Sequence, residues 1–311
     1  MEYEEVTPKS YPVNLIKKDW TQRKLYYTSP AKSMPNAIYN MEVLDNDIWI
    51  VTNPKSGTTW IQELVWLLMN DCNFETALSK DLELRSPYLE FDFMIHRNVE
   101  RALKPVEELP SPRIIKSHLS LALLPAQLWQ KKPKVIYVFR DPKDAWISNY
   151  YHFVNFGFQY GKTLEQYMDE LLEKEAPKRD PILHAFEFYQ LRNEPWVYYT
   201  SFNLMKKDLR KVIDDLCKFL NKTVTEQQME RLLKHLSFEE MKKNPKTNHR
   251  WEYGQVPHPN RGKEVHNFIR SGKVGGHKEE LKPQQIEKAD RFIEGRLQAN
   301  QVTLEQLLLL E

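Results

Sequence analysis

Cysteine is scarce in this chain, which has only Cys72 and Cys217 among its 311 residues. Two thiols cannot build the framework of several bridges that stabilises small secreted domains. Each lies within or beside an apolar helical pattern, so we expect inert thiols. The N-terminus is acidic and polar and does not resemble a signal peptide. Together these features predict a reduced protein of the cytoplasm.

Long apolar runs and an excess of one charge are also missing. No stretch approaches the roughly 18 apolar residues of a membrane-spanning helix, so we expect no membrane partner. Lysine and arginine number 45 against 43 aspartate and glutamate, a net charge of +2. This balance gives no whole-chain electrostatic reason to bind nucleic acid. We also find no residue cluster with metal-ligand spacing and expect no metal.

The chain does contain alternating strand and helix patterns. Hydrophobic residues make up 41% of it and aromatic residues 12%, as in a globular protein. The alternation predicts an α/β fold with a central parallel β-sheet flanked by helices. We expect residues 1–311 to form a single domain. The predicted strands are 47–52, 112–116, 134–139 and 195–199, and the main helical patterns are 58–70, 122–130, 142–153 and 181–192.

The segment after the first predicted strand has the composition of an anion-binding loop. Strand, tight loop and helix start aim backbone N–H groups and a helix dipole at an anion. A lysine adds a positive charge, and three hydroxyl groups add donors. This P-loop-like strand-loop-helix is not a Walker A sequence, because its lysine precedes its only glycine. It could also be an ordinary turn with hydroxyl capping. The loop residues are Lys55, Ser56, Gly57, Thr58 and Thr59.

The next two strand ends also carry residues that bind or move charge. Lys116 and His118 follow the second predicted strand, and Arg140 ends the third. Ser148 lies two helical turns beyond Arg140. Parallel sheets bind ligands where loops leave the carboxyl ends of the strands, so we expect these groups to converge. Taken singly, each could be an ordinary surface or core residue.

Four motifs in this order resemble the cytosolic sulfotransferases. That family transfers a sulfuryl group from 3′-phosphoadenosine 5′-phosphosulfate (PAPS) to small acceptors, releases 3′-phosphoadenosine 5′-phosphate (PAP) and needs no metal. The resemblance implies sulfuryl transfer to a small-molecule hydroxyl or amine. The motifs are TNPKSGTTW at 52–60, KSHL at 116–119, YVFRDPKDAWIS at 137–148 and FIRSGKVGGHKEEL at 268–281.

The resemblance also implies roles for single residues. His118 would be the catalytic base, assisted by Lys55 and Lys116. The loop from Lys55 to Thr59 would hold the 5′-phosphosulfate. Tyr88, Phe91 and Phe153, with His118, would line the acceptor pocket, although ordinary core aromatics fit them equally well. The residues implied for the 3′-phosphate and nucleoside are Trp60, Arg140, Ser148, Phe202, Ser237, Phe238, Arg270, Ser271 and Gly272.

The chain departs from the family pattern at several positions. Ser271 stands where the family has lysine, and Gly276-His277 where it has Asp-Trp. Lys282-Pro283 replaces Thr-Val in the family's dimer segment, so we expect a monomer or a weak homodimer. Three other functions stay open: a nucleotide kinase or ATPase, a non-catalytic nucleotide-binding module, and a relative that sulfonates an alcohol and then eliminates sulfate.

Overall fold

A computed structural model gives the arrangement of most of the chain. Within that part, no helix is both long enough and apolar enough to cross a lipid bilayer. The described residues are 4–6, 16, 25–27, 34–91, 99–175, 180–248 and 258–310.

A parallel sheet of four strands lies at the centre, which confirms the predicted α/β fold. Its strands are β3 (Ile48–Thr52), β4 (Ile114–Ser117), β5 (Lys134–Phe139) and β6 (Val197–Ser201), in the order β4-β3-β5-β6. All neighbouring pairs are parallel. A separate antiparallel pair joins β1 (Glu4–Val6) to β2 (Leu25–Tyr27).

The sheet is buried on both faces, as expected for parallel strands covered by helices. Successive side chains of a strand point to opposite faces. In β3, Trp49 and Val51 enter one apolar cluster, whereas Ile48 and Ile50 enter the other. In β5, Tyr137 belongs to the first cluster. The alternation therefore fixes which face each helix covers.

The helices follow the sequence patterns, with shifts at their ends. Gly57 caps the helix after β3, and Gly157 ends the one after β5. The helices are α1 (Met34–Asn40), α2 (Thr58–Met69), α3 (Phe74–Ser79), α4 (Leu82–Arg85), α5 (Val99–Glu107), α6 (Ala126–Lys131), α7 (Pro142–Phe156), α8 (Leu164–Glu170), α9 (Pro181–Tyr189), α10 (Phe202–Lys207), α11 (Leu209–Leu220), α12 (Glu226–His235), α13 (Phe238–Lys243), α14 (His277–Glu280), α15 (Pro283–Ala299) and α16 (Leu304–Leu308), with a 3₁₀ turn at Leu121–Leu123 and a π turn at Leu171–Glu175.

Three predicted elements begin late, and each has a proline at or near its predicted start. The strand predicted from residue 112 begins at Ile114, because Pro112 has no N–H for the sheet. The helix predicted from residue 122 begins at Ala126, because Pro125 disfavours a helical backbone at the residue before it. The strand predicted from residue 195 begins at Val197, because Pro195 has no N–H for the sheet.

The strand order places the important loops together. The central strand β3 pairs with β4 on one side and with β5 on the other. The chain therefore adds β4 on one side of β3 and β5 on the other, and the loops that follow these three strands leave the same edge of the sheet. Such a switch point is where open α/β sheets bind ligands.

Candidate active site

The loop after β3 leads into α2 with a glycine at the helix cap. Gly57 has φ 101°, in the left-handed region, and a Cβ there would lie 2.9 Å from the Phe202 ring. No side chain caps α2, so its first N–H groups face the loop. The buried Ser56 hydroxyl has no hydrogen-bond partner among the described residues. Uncapped N–H groups and an unpartnered hydroxyl suit an anion.

Lys55 also has a left-handed backbone, with φ 65°. Its Nζ lies 3.5 Å from the ring centroid of Phe268. Lys55, Ser148 and Arg270 line one small cleft. The cleft thus joins the loop after β3 to α7 and to the late loop that contains Arg270.

Arg140 connects two loops at the end of β5. Its guanidinium donates to the carbonyl oxygens of Lys55 at 3.2 Å and Lys273 at 3.0 Å. It also lies over the Phe202 ring, 4.4 Å from the centroid. Burial lowers the pKa of Arg140, and its Nε atom has no partner among the described residues. A buried guanidinium of this kind needs an anionic or polar partner.

The late loop is attached to α7 through Asp144. This carboxylate accepts hydrogen bonds from the backbone of Gly275 at 2.7 Å and of His277 at 2.9 Å. It also pairs with His277 Nδ1 at 2.8 Å. Burial raises the pKa of Asp144, but the bonds from His277, the charge of Arg140 and the bond from Gly275 together lower it by more, so the net shift is downward. We name this contact the Asp144–His277 clasp.

The segment that precedes the clasp has contacts of its own. A Cβ on Gly272 would lie 2.6 Å from the Phe238 ring, so glycine permits this close packing. Arg270 pairs with Glu280 at 2.6 Å. The ammonium group of Lys273 pairs with Glu279 instead of lying over the cleft. Ser237 caps α13, which begins with Phe238.

His118 lies half-buried after β4, and its contacts define its tautomer. Its Nδ1 is 2.8 Å from the Thr52 carbonyl oxygen. A carbonyl oxygen only accepts, so Nδ1 carries the proton and Nε2 is left as a base. Burial, followed by the charge of Lys116, holds the pKa of His118 well below its usual 6.5. The imidazole is therefore neutral at pH 7 and able to accept a proton.

Aromatic side chains surround this imidazole. The Tyr88 ring lies 5.0 Å from the His118 ring and 6.3 Å from the Phe91 ring. Lys116 Nζ lies 4.6 Å from the Tyr88 centroid. Phe153, on α7, packs with His152 and Phe158. From the sequence, the loops at 80–95, 150–162 and 244–262 are expected to shape the acceptor pocket. Residues 92–95 and 249–257 of these loops lie outside the described part.

Sequence reasoning missed the acidic residue of this site. Glu90 is 5% exposed, and its Oε1 accepts a hydrogen bond from the His118 backbone at 2.7 Å. Burial raises the pKa of Glu90 to about 7. In the sequence, the one feature that could have pointed to Glu90 was its place between Tyr88 and Phe91. An aromatic segment does not by itself predict a buried carboxyl group.

Comparison with known proteins identifies the family. The family model described as a sulfotransferase domain matches residues 45–302. This chain belongs to the sulfotransferase family. The family assignment made from the motifs is therefore confirmed, and this sulfotransferase is an enzyme of the transferase class.

Several relatives resemble the sulfotransferase along most of its length. Sulfotransferase 1E1 of Bos taurus is 30% identical over 264 residues, covering 85% of this chain and 87% of the relative. Luciferin sulfotransferase of Photinus pyralis is 33% identical over 276 residues, covering 82% of this chain and 72% of the relative. A crystal structure of retinol dehydratase with retinol and PAP is 26% identical, has a TM-score of 0.76, and matches 95% of this chain and 96% of that one.

The structure brings together many residues predicted from sequence. Lys55, Ser148 and Arg270 share the cleft, and Trp60 packs against Phe202 at 5.6 Å. Thr58 Oγ1 lies 2.7 Å from Thr52 Oγ1, which also lies 3.2 Å from His118 Nδ1. In the described part of the chain, no group of three or more His, Cys, Asp or Glu residues could hold a metal ion. The role of each residue stays a prediction.

Proposed function

We propose that this sulfotransferase transfers the sulfuryl group of PAPS to the hydroxyl or amine of a small, hydrophobic, aromatic acceptor and releases PAP. The orientation of His118 carries the proposal. Its Nδ1 donates to the Thr52 carbonyl at 2.8 Å, and its Nε2 has no hydrogen-bond partner among the described residues. A neutral imidazole fixed in this way is suited to remove a proton from an acceptor.

The chain has polar atoms that fit an adenine nucleotide with phosphate groups at both ends. Buried Ser56 Oγ, Arg140 Nε and Trp60 Nε1 have no hydrogen-bond partner within the described residues. Such buried groups are normally satisfied, so a bound anion is a natural partner. Lys55, Ser56, Gly57, Thr58 and Thr59 would hold the phosphosulfate, whereas Trp60, Arg140, Ser148, Phe202, Ser237, Phe238, Arg270, Ser271 and Gly272 would hold the 3′-phosphate and nucleoside.

PAPS supplies the sulfuryl group when it is bound. His118 Nε2 takes the proton of the acceptor, so an O–H bond breaks and an N–H bond forms. Lys55 brings a positive charge to the loop, where it stabilises negative charge that grows during transfer. Lys116 is buried and adds a second positive charge beside His118. Burial, followed by that charge, keeps the imidazole neutral before the reaction.

The ring groups near His118 support an apolar acceptor. Tyr88 packs edge-on against the imidazole, and Phe91 packs beside Tyr88. Binding pockets for small molecules are mostly apolar with a few placed polar groups. Phe153 packs with His152 on α7 and would line the acceptor pocket from the side of that helix.

A second candidate begins with the same sulfuryl transfer and then eliminates sulfate, which leaves a dehydrated product. The structural similarity to retinol dehydratase, solved with retinol and PAP, favours this candidate. The two reactions differ only in the fate of the sulfate ester, so the same His118 and Lys55 would serve both.

A panel of acceptors tests the proposal. The enzyme is incubated with phenols, steroids, catecholamines and retinoids and with PAPS labelled in the sulfuryl group. The masses of the products are then measured by mass spectrometry. We expect at least one product heavier by one sulfuryl group. A product lighter by one water would support the second candidate. PAP binding without any transfer across the panel would contradict both and favour a non-catalytic nucleotide-binding module.

A further inference from the structure

Glu90 owes its position to a short stretch of chain beside β4. The Lys116 N–H donates to the Pro87 carbonyl at 2.9 Å, and the Leu89 N–H donates to the Lys116 carbonyl at 2.9 Å. Tyr88 therefore forms a parallel bridge with Lys116. Two residues further along both segments, the same register places Glu90 beside His118.

The carboxyl group of Glu90 is buried and incompletely bonded. Its Oε1 accepts the His118 N–H at 2.7 Å, while its Oε2 has no hydrogen-bond partner in the described residues. Nor does any described lysine, arginine or histidine form an ion pair with it. The charge of nearby Lys116 lowers the pKa of Glu90 but does not offset its burial, so this carboxylate is costly to bury and stability alone does not account for it.

Other buried side chains hold the rest of the same loop. His184 Nε2 lies 3.0 Å from the Leu119 carbonyl, and Glu187 Oε2 accepts the Leu121 N–H at 3.0 Å. The loop backbone is thus fixed on both sides of its turn. Glu90 is the carboxyl group that acts at the amide of His118 itself.

We propose that Glu90 is a positioning residue for His118. Its carboxylate holds the backbone of the base and favours the positive charge that the imidazole gains with the acceptor's proton. The proton moves to His118 Nε2, the electron pair stays on the acceptor oxygen, and Glu90 keeps its own charge. This inference rests on the proposed role of His118.

The charged groups around Glu90 give the arrangement a pH dependence. Burial raises the pKa of Glu90 to about 7, while bonds from the His118 backbone and Ser117 and the charge of Lys116 oppose the rise. The His118 ring faces Lys116, Lys55 and His184, and its pKa is lowered. The carboxylate is present above about pH 7 and is lost as the pH falls through that value. Activity should fall with it, before His118 titrates.

Nuclear magnetic resonance of the full chain with bound PAP tests this inference without turnover. The histidine side chains are labelled with ¹⁵N, and His118→Asn identifies the His118 signals. We expect the wild-type His118 signals to shift with a midpoint near pH 7, and Glu90→Gln to lose that midpoint. The control is Glu187→Gln, the same change in another buried carboxyl group that holds this loop.

The kinetic arm uses PAPS with 2-naphthol as the probe acceptor. Glu90→Gln should lower kcat about tenfold at a pH above 8 and leave PAP affinity unchanged. The fall of kcat on the acid side of the pH profile should move to a lower pH. Glu90→Ala should lose more, because the His118 N–H is then unpaired. Glu187→Gln should keep the wild-type acid limb.

Three results would overturn the inference. They are a wild-type titration without a midpoint near pH 7, a midpoint that persists in Glu90→Gln, and an equal loss of the midpoint in Glu187→Gln. The wild-type titration needs no variant, so misfolding of Glu90→Gln leaves the inference testable. Failure of sulfuryl transfer with an intact titration would contradict the proposed function and leave the Glu90 contact in place.

Discussion

Lys55 illustrates how single residues in this site combine strained backbone with placed charge. A left-handed conformation is unusual for a residue with a side chain, and Lys55 has φ 65°. Functional sites are where such strain is most often found. In Lys55 the conformation places the ammonium group at the cleft, beside Phe268 and near Ser148 and Arg270.

Changing Lys55→Met should slow transfer more than it weakens nucleotide binding. The charge acts on negative charge that develops in the transition state, so kcat should fall about 10²–10³-fold while PAP affinity falls much less. Steady-state rates and calorimetric PAP binding measure the two effects. Lys211→Met, at an exposed i,i+4 pair on α11, is the control. A loss confined to PAPS affinity would make Lys55 a ground-state anchor only.

Changing Arg140→Ala should weaken ligands that carry a 3′-phosphate. A hydrogen bond to a charged partner contributes about 1.5–3 kcal/mol, so PAP affinity should fall roughly 10–100-fold. Adenosine 5′-phosphosulfate lacks that phosphate and should lose far less, although Arg140 also joins the loops at Lys55 and Lys273. The measurement is the affinity of both ligands for Arg140→Ala and for the exposed control Arg210→Ala. Equal losses of affinity for the two ligands would contradict the contact between Arg140 and the 3′-phosphate.

At the scale of elements, the carboxylate of Asp144 joins the late loop to α7. Asp144 lies in the first turn of α7 and accepts hydrogen bonds from the backbone of Gly275 and His277, which come more than a hundred residues later in the chain. The family pattern has Asp-Trp at 276–277, and here His277 is instead held by Asp144 in a buried hydrogen bond. The clasp thus attaches the end of the segment that carries Arg270 and Gly272 to α7.

Changing His277→Ala should loosen this loop and weaken PAP binding by about tenfold, because Asp144 loses a buried hydrogen-bond donor. His277→Asn keeps a side-chain N–H in a similar position and should recover much of the affinity. Calorimetry with PAP measures both variants. If His277→Ala binds PAP as tightly as wild type, the clasp does not position the nucleotide loop.

Local patterns predicted the sheet and the strand, loop and helix around Lys55, since both depend on neighbouring residues. The strand at 134–139 was predicted with its observed bounds, and the helix at 58–70 within one residue. Glu90 and the Asp144–His277 clasp could not be predicted in this way. Glu90 follows no predicted strand, and its position depends on pairing with β4. The clasp depends on a contact across the fold.

At the scale of the whole molecule, the segment resembling the family's dimer contact is folded into its own chain. Pro283 begins α15, and the Lys282 N–H donates to Gln285 Oε1 at 3.0 Å. The Lys282 ammonium group pairs with Glu165 at 2.6 Å. The backbone N–H that would pair with a two-fold mate is therefore already used.

We accordingly predict a monomer, or a weak dimer formed through another surface. An exposed ion pair between Glu287 and Lys278 across a two-fold axis would add only about 0–1 kcal/mol to association. Glu287 already pairs with Arg291 within its own helix. Sedimentation velocity at micromolar concentration measures the state directly. A stable dimer that dissociates when residues 278–287 are changed would show that the segment tolerates Lys-Pro.

The most direct test of the account is the rate of sulfuryl transfer by His118→Ala and His118→Asn. Asparagine can still donate to the Thr52 carbonyl but has no basic nitrogen, so it separates the base from its packing. With PAPS and an acceptor from the panel, both variants should lose about 10²–10⁴-fold in kcat while PAP affinity stays at the wild-type value. Near wild-type turnover at neutral pH by either variant would contradict the assignment of His118 as the base.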